Sequence, residues 1–405
     1  MMKNTSFQAN HAFTMKYAGI QGMYFGSLVP ISAFASVFLL YRGFTNSQIG
    51  TIISMGSIGS VIVQLVIGNL ANRSRIFSIR AMALTFSIVL IALSLVLCII
   101  PFGTLMTAVI FVTILVVTFA MTPLISSMNF MYQNRGITIN YGVARAAGSI
   151  MYAILSTAVG RVVTHFSAAV IPWFNVLTLA GMLLFVASYR FPKNAVHLDT
   201  VVTAKDKVQA LRMSDFIRRN RSFLIFLVGV SMIFLSHSAI QTYFLQIIMP
   251  KGGDSSSLGI TSAIGAVLEV PMMVGFARLN RKVKCSLLIQ ISILFFTLRA
   301  IGILLVPNMT GVYLVQSLNM LGYAMFTPAS VYYVAQIMDE GDKVKGQAYL
   351  GSAIAISGIC ANFAGGRILD NYGPGTVMQC VIALSIVGNI IVILAVRAMR
   401  MKKAN

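Results

Sequence analysis

A chain of 405 residues that is 58% hydrophobic and only 10% charged does not compose a water-soluble globule. Its formal net charge of +21 would suggest nucleic acid in a soluble protein. Nucleic-acid binders gather Lys and Arg on one face, whereas here the basic residues fall in alternate loops between apolar runs, so a nucleic-acid partner is excluded and the lipid bilayer is the expected solvent.

A bilayer core about 30 Å thick takes about 20 residues of helix to cross. The chain is polar up to about Lys16 and has no small-residue cleavage site, so the first apolar run, 16–40, is expected to be a retained helix rather than a signal peptide. Runs 46–71, 79–101, 104–131, 141–165 and 168–189 follow, then a polar basic segment at 190–220. Runs 221–249, 256–277, 285–306, 309–337, 346–369 and 375–397 complete the chain. The expected fold is an all-α membrane protein of twelve transmembrane helices in two six-helix halves, 1–189 and 221–405, joined by the linker 190–220.

One set of loops carries Arg73, Arg75, Arg80 and Arg135, then Lys193, Lys205, Lys207, Arg212, Arg218 and Arg219, then Arg281, Lys282 and Lys284, and finally Arg400, Lys402 and Lys403. The other set has little beyond Arg42 and Lys251. By the positive-inside rule both termini and the linker face the cytoplasm. The halves also echo each other. Gly50, Gly56, Arg73 and Arg75 recur 209 positions on as Gly259, Gly265, Lys282 and Lys284. Thr122-Pro123 has a counterpart in Thr327-Pro328, and Gly148-Ser149 in Gly351-Ser352, which together indicate an internal repeat.

Few polar residues lie within the apolar runs. Glu269, in ITSAIGAVLEVPMMVGFA, is the one acid well inside a helix. An ionised group at the bilayer centre costs at least about 2.5–3.5 kcal/mol, so it either faces a cavity or a cation, or stays protonated in a helix–helix hydrogen bond. Arg299, in the ninth run, either compensates Glu269, binds substrate or snorkels to the outer surface. Arg145, in YGVARAAGSIMY, either reaches the cytoplasmic interface or faces inward. His237 is either a satisfied structural residue or, with an ordinary pKa near 6.5, a proton relay. Asn319, Gln316, Gln241 and Asn129 either line a cavity or join helices. Cys98, Cys285, Cys360 and Cys380 are far apart, so neither a metal site nor a disulfide framework is expected.

Two six-helix halves with a basic linker resemble the major facilitator superfamily of secondary transporters over essentially the whole chain. The segments YGVARAAGSIMY and FLLYRGFTNSQIGTIIS, the acid before a proline (Glu269, Pro271), and Arg299 in the ninth run resemble the oligosaccharide–proton symporter, lactose permease-like branch. The resemblance implies that Arg145 and Glu269 contact sugar hydroxyls, that Tyr152 supplies the aromatic on which the ring packs, and that Arg299 belongs to the proton-coupling network. It also implies a bacterial cytoplasmic (inner) membrane location, no enzyme activity, no cofactor, no metal and a monomer whose partners are a small-molecule substrate and a coupling proton.

The departures from that branch are equally informative. The acid of the fourth helix is replaced by PLISSMNF, with Ser126, Ser127 and Asn129. The tenth helix offers Asn319 and Gly322 in place of a His and a Glu, and the seventh offers His237 and Gln241 in place of acids. The loop GNLANRSR keeps only part of the superfamily's cytoplasmic signature, with Asn72 where an acid is usual. The expected substrate-binding set is therefore Arg145, Glu269, Tyr152, Asn319 and Gln241, and the expected ion-coupling set is Glu269, Arg299 and His237. The expected function is proton-coupled uptake of a small polar solute such as a sugar or oligosaccharide. The alternatives are export of drugs or metabolites on the same fold, or uptake of a nucleoside or organic acid.

Overall fold

The computed structural model describes residues 2–73, 79–100, 103–133, 139–189, 216 and 219–404. Arg75, Arg135, most of the 190–220 linker and its basic residues up to Arg218 lie outside this set, as do the side chains of Asn72, Arg73, Lys402 and Lys403. Every element among the described residues is helical. In chain order these are α1 (Met2–Leu28), α2 (Ala35–Tyr41), α3 (Asn46–Arg73), α4 (Ile79–Ile99), α5 (Thr104–Ala120), α6 (Thr122–Gln133), α7 (Tyr141–His165) and α8 (Ile171–Ser188). They continue with α9 (Arg221–Thr242), α10 (Phe244–Ile248), α11 (Ser255–Lys282), α12 (Cys285–Leu305), α13 (Met309–Gln316), α14 (Tyr323–Ile337) and α15 (Lys343–Ala404).

Nine described helices are long and apolar enough to cross a membrane, or ten if the bent pair at the start is one span. This differs from the expected twelve for local reasons. The first run holds a π segment, Val29–Ala33, carrying Pro30, and bends by 46° before α2. Proline withholds a backbone N–H and crowds the preceding turn. The first helix also starts at Met2 rather than near 16, because nothing in its polar head breaks a helix. The run 309–337 divides into α13, a 3-10 segment Ser317–Met320, and α14, which starts after Gly322. The last two runs form one long element, α15, interrupted at Gly373, whose φ of 78° is not helical.

The helices group into two compact units, Met1–Val201 with Asp254–Ala266, and Val202–Gly253 with Val267–Asn405. Helix α11 thus begins in one unit and ends in the other. In the first, α1 packs on α7 and α8, α3 on α5, and α4 on α8; in the second, α9 packs on α15, and α12 on α14 and α15. Large apolar side chains such as Leu65, Leu105, Leu184, Val274 and Leu314 point outward, while polar ones turn in. Buried Asn175 donates to Ser94 Oγ at 2.9 Å, and buried Asn389 donates to Thr297 Oγ1 at 2.6 Å. Apolar surface outside and paired polar groups inside is the arrangement a hydrocarbon solvent selects.

The internal repeat is visible at the level of single hydrogen bonds. Gly43 and Gly252, 209 positions apart, both adopt left-handed φ, 83° and 80°. Gly43 N–H donates to Leu40 O and Phe44 N–H to Leu39 O; Gly252 N–H donates to Met249 O and Gly253 N–H to Ile248 O, the same bonds at the same offset. Such turns close a helix with glycine because an L side chain there costs about 1–2 kcal/mol. The preceding cations match too. Arg42 Nη2 donates to Leu97 O at 2.7 Å, and Lys251 Nζ donates to Val306 O at 2.6 Å, again 209 positions on, each at a helix C-terminus.

Candidate functional site

In the first unit, α7 presents Arg145, Ser149 and Tyr152 at spacings of four and three, so they share one helix face. Arg145 and Tyr152 are half-buried and lie two turns apart, about 10 Å along the axis. Arg145 Nη1 donates to Ser149 Oγ at 3.1 Å, and its guanidinium carbon lies 4.2 Å from the centre of the Phe25 ring of α1. Gly148 permits this arrangement, since a Cβ there would come within 2.7 Å of Phe25 Cδ2. Arg145 is therefore laid on an aromatic bed and tethered by a hydroxyl. Nothing in the sequence marks Phe25, one of 26 phenylalanines, as its support.

Further along the same helix, α7 meets the head of α11 at backbone distance. A Cβ on Gly160 would sit 2.5 Å from Ser255 O, and one on Gly259 would sit 2.2 Å from Ser156 O. Only hydrogen fits at either position. Asp254 and Thr164 cap α11 here. Ser257 N–H and its hydroxyl donate to Asp254 Oδ1, both at 2.8 Å, Thr164 Oγ1 donates to Asp254 Oδ2 at 3.1 Å, and Ser256 N–H donates to Thr164 Oγ1 at 3.0 Å. Partial burial alone would raise the Asp254 pKa, but the donors on its two oxygens outweigh this and hold it below the ordinary carboxylate value.

In the second unit, Glu269 occupies the middle of α11, half-buried, two residues before Pro271. Pro271 has no N–H for the carbonyl of Val267, so polar backbone is freed one turn from the carboxylate. Arg299 is 2% exposed, and its Nε donates to Gln316 Oε1 at 3.0 Å. Its Nη2 has no hydrogen-bond partner, and its burial keeps it from snorkelling to the surface. Two hydrophobic helices meeting at a buried Gln offer the guanidinium a neutral partner.

His237 is buried with its ring stacked on Tyr323 at 5.1 Å and 9°, and edge-on to Phe296 at 5.1 Å. Its Nδ1 lacks a partner, as does Oδ1 of Asn319, which is buried in the 3-10 break between α13 and α14. Phe296, against which His237 packs, shares a face of α12 with Arg299 at a spacing of three. Gln241, by contrast, is exposed at the end of α9. The fold therefore joins Arg145 to Tyr152 in one unit. In the other it gathers Arg299 with Gln316, and His237 with Tyr323.

The MFS_1 like family matches the chain over residues 15–380. The chain belongs to the MFS_1 like family. It is thus a major facilitator superfamily transporter, a multi-pass membrane protein and not an enzyme. It is 25% identical over 286 residues to a maltose permease of Geobacillus stearothermophilus, covering 69% of each chain. It is 24% identical over 262 residues to the uncharacterized transporter YwbF of Bacillus subtilis (strain 168), covering 61% of this chain and 60% of that one. Among solved structures, the nucleoside transporter NupG aligns with a TM-score of 0.75 at 15% identity, over 96% of this chain and 98% of NupG. The peptide transporter POT in complex with sulfate aligns with a TM-score of 0.70 at 12% identity, over 95% and 93%. These two likenesses establish the fold of this MFS_1 like protein.

Proposed function

We propose that this transporter takes up a small polar solute of the sugar or oligosaccharide class, driven by protons, by alternating access. The observation that carries the substrate class is the α7 face, where Arg145 rests on Phe25 and is tethered by Ser149, with Tyr152 two turns away. A guanidinium offers several directional donors to hydroxyls, and an aromatic at sugar-ring distance selects shape. A maltose permease among the relatives agrees with this class. Glu269 is the group assigned to the proton, as the half-buried acid at the middle of a membrane-length helix. Arg299, held by Gln316, contributes a fixed positive field to the same half, and His237 and Asn319 supply buried, unpartnered polar atoms in that half.

In this reading twelve helical crossings form two six-helix halves of a bacterial cytoplasmic-membrane protein. The chain works as a monomer with its basic loops and both termini inside the cell. Transport proceeds by alternating access, the substrate being exposed to each side of the membrane in turn.

Counterflow in proteoliposomes tests the substrate class. Vesicles loaded with unlabelled maltose are diluted into labelled maltose, with parallel arms for uridine and a lipophilic cation. Transient accumulation of labelled sugar and not of the other two supports the reading. Counterflow of uridine or the cation alone assigns the chain to nucleoside uptake or drug export.

A further inference from the structure

At the basic end of the second unit, a cavity of about 500 Å³ opens where the last turn of α11, the first turn of α12, α14 and the end of α15 meet. The transport cycle described above does not use it. Arg281, Lys282 and Lys284 line one side and Arg400 another, and no Asp or Glu is among the lining residues. Four cations around one hollow repel each other unless an anion joins them.

The remaining wall is built for acceptors. Tyr333 is 3% exposed, lines the cavity, and its hydroxyl has no hydrogen-bond partner. A buried phenol left unpaired costs about 1–3 kcal/mol, which a ligand oxygen would recover. Cys285 and Ser286, the first residues of the 21-residue helix α12, also border the space, so the positive end of a full-length helix faces it. Arg400 Nη2 donates to Ser286 Oγ, which fixes the guanidinium at the rim, and Cys285 Sγ donates to Asn280 Oδ1 at 2.6 Å, which closes the α11–α12 turn around the hollow.

We propose that this cavity binds a phosphate group. Its charge is met by Arg281, Lys284 and Arg400, and the Tyr333 hydroxyl donates to one of its oxygens. The level of the cavity suits the source, because Arg281, Lys282 and Lys284 mark the end of two apolar helices, where the phosphates of an anionic lipid lie. The volume is within the range of small-molecule sites and takes a glycerophosphate headgroup.

The test uses the full chain in neutral detergent. Binding is followed by native mass spectrometry in three arms: a short-chain phosphatidylglycerol, inorganic phosphate, and a phosphatidylcholine of the same chain length. The expected result is saturable binding of phosphatidylglycerol with little binding of phosphatidylcholine. A basic residue near an anionic surface is worth about fivefold in affinity. The triple variant Arg281→Gln, Lys284→Gln, Arg400→Gln is therefore expected to weaken binding about a hundredfold. Tyr333→Phe, which keeps the ring packing, is expected to weaken it about tenfold. If inorganic phosphate saturates the site and displaces the lipid, the ligand is a soluble phosphate; if only the lipid binds, the bilayer supplies it. The thermal midpoint without ligand shows that each variant is folded. Parent-like binding by both variants, or no binding to the parent in either anionic arm, overturns the proposal.

Discussion

Replacing Phe25 with Leu removes the ring under Arg145 while keeping an apolar side chain on α1. The guanidinium carbon is 4.2 Å from the ring centre, within the distance at which a cation is attracted to an aromatic face. At a half-buried position that attraction is worth about 1 kcal/mol, or about fivefold in an equilibrium. The tether to Ser149 Oγ survives the change, so Arg145 keeps its charge and one hydrogen bond but loses the aromatic face that steadies it. Sugar counterflow is therefore expected to show a half-saturating concentration about fivefold higher at an unchanged maximal rate. Phe25→Tyr, which preserves the face, should stay close to the parent. Gly148→Ala should mimic the defect, because its Cβ would meet Phe25 Cδ2 at 2.7 Å and push the ring away. An unchanged half-saturating concentration in Phe25→Leu, or equal damage from Phe25→Tyr, would show that Arg145 does not depend on this bed.

Other consequences concern stability. Gly252→Ala meets no atom within 4 Å, so its cost is the left-handed φ alone, about 1–2 kcal/mol, and a lowered thermal midpoint in detergent checks it; an unchanged midpoint contradicts the turn described. Gln316→Leu takes the acceptor from Arg299 Nε and is expected to destabilise by about 3 kcal/mol, whereas Gln316→Glu should remain stable because it offers a carboxylate at the same place. Asp254, with its pKa held below the ordinary 3.8, contributes stability that is present above that value and lost as the pH falls through its lower folded-state value. Unfolding scans should show this acid-limb loss in the parent and not in Asp254→Ala, which lacks the α11 cap at every pH and starts about 1 kcal/mol lower.

Much of this architecture was legible because hydrocarbon imposes its length and polarity on every span. Helix α3 runs Asn46–Arg73 and α11 runs Ser255–Lys282, a displacement of 209 at both ends, as the Gly50–Gly259 and Arg73–Lys282 echoes indicated. What escaped notice were contacts between helices distant in sequence. Arg42 and Lys251 read as stray charges on the wrong side of a topology count, yet each closes the end of another helix 55 residues on. Arg299 invited pairing with Glu269 because both are charged, and nothing in the local pattern marks Gln316 as the acceptor. The breaks were not read from the sequence: Pro30 lies inside a run expected to be one helix, 16–40, and no proline stands at Ser317–Met320. Arg145 and Tyr152 stood out through the resemblance carried by YGVARAAGSIMY, but the support of Arg145 by Phe25 and the room that Gly148 leaves were not legible.

The role of Glu269 is tested most directly by uphill uptake. Purified parent and Glu269→Gln are reconstituted into proteoliposomes, and labelled maltose is followed under an imposed pH gradient and a 100 mV potential, which is worth about 2.3 kcal/mol per charge or about fiftyfold accumulation. The parent is expected to concentrate sugar several-fold or more, while Glu269→Gln only equilibrates it and retains counterflow. A Glu269→Gln protein that concentrates sugar as the parent does would contradict the assignment of the proton to this carboxylate.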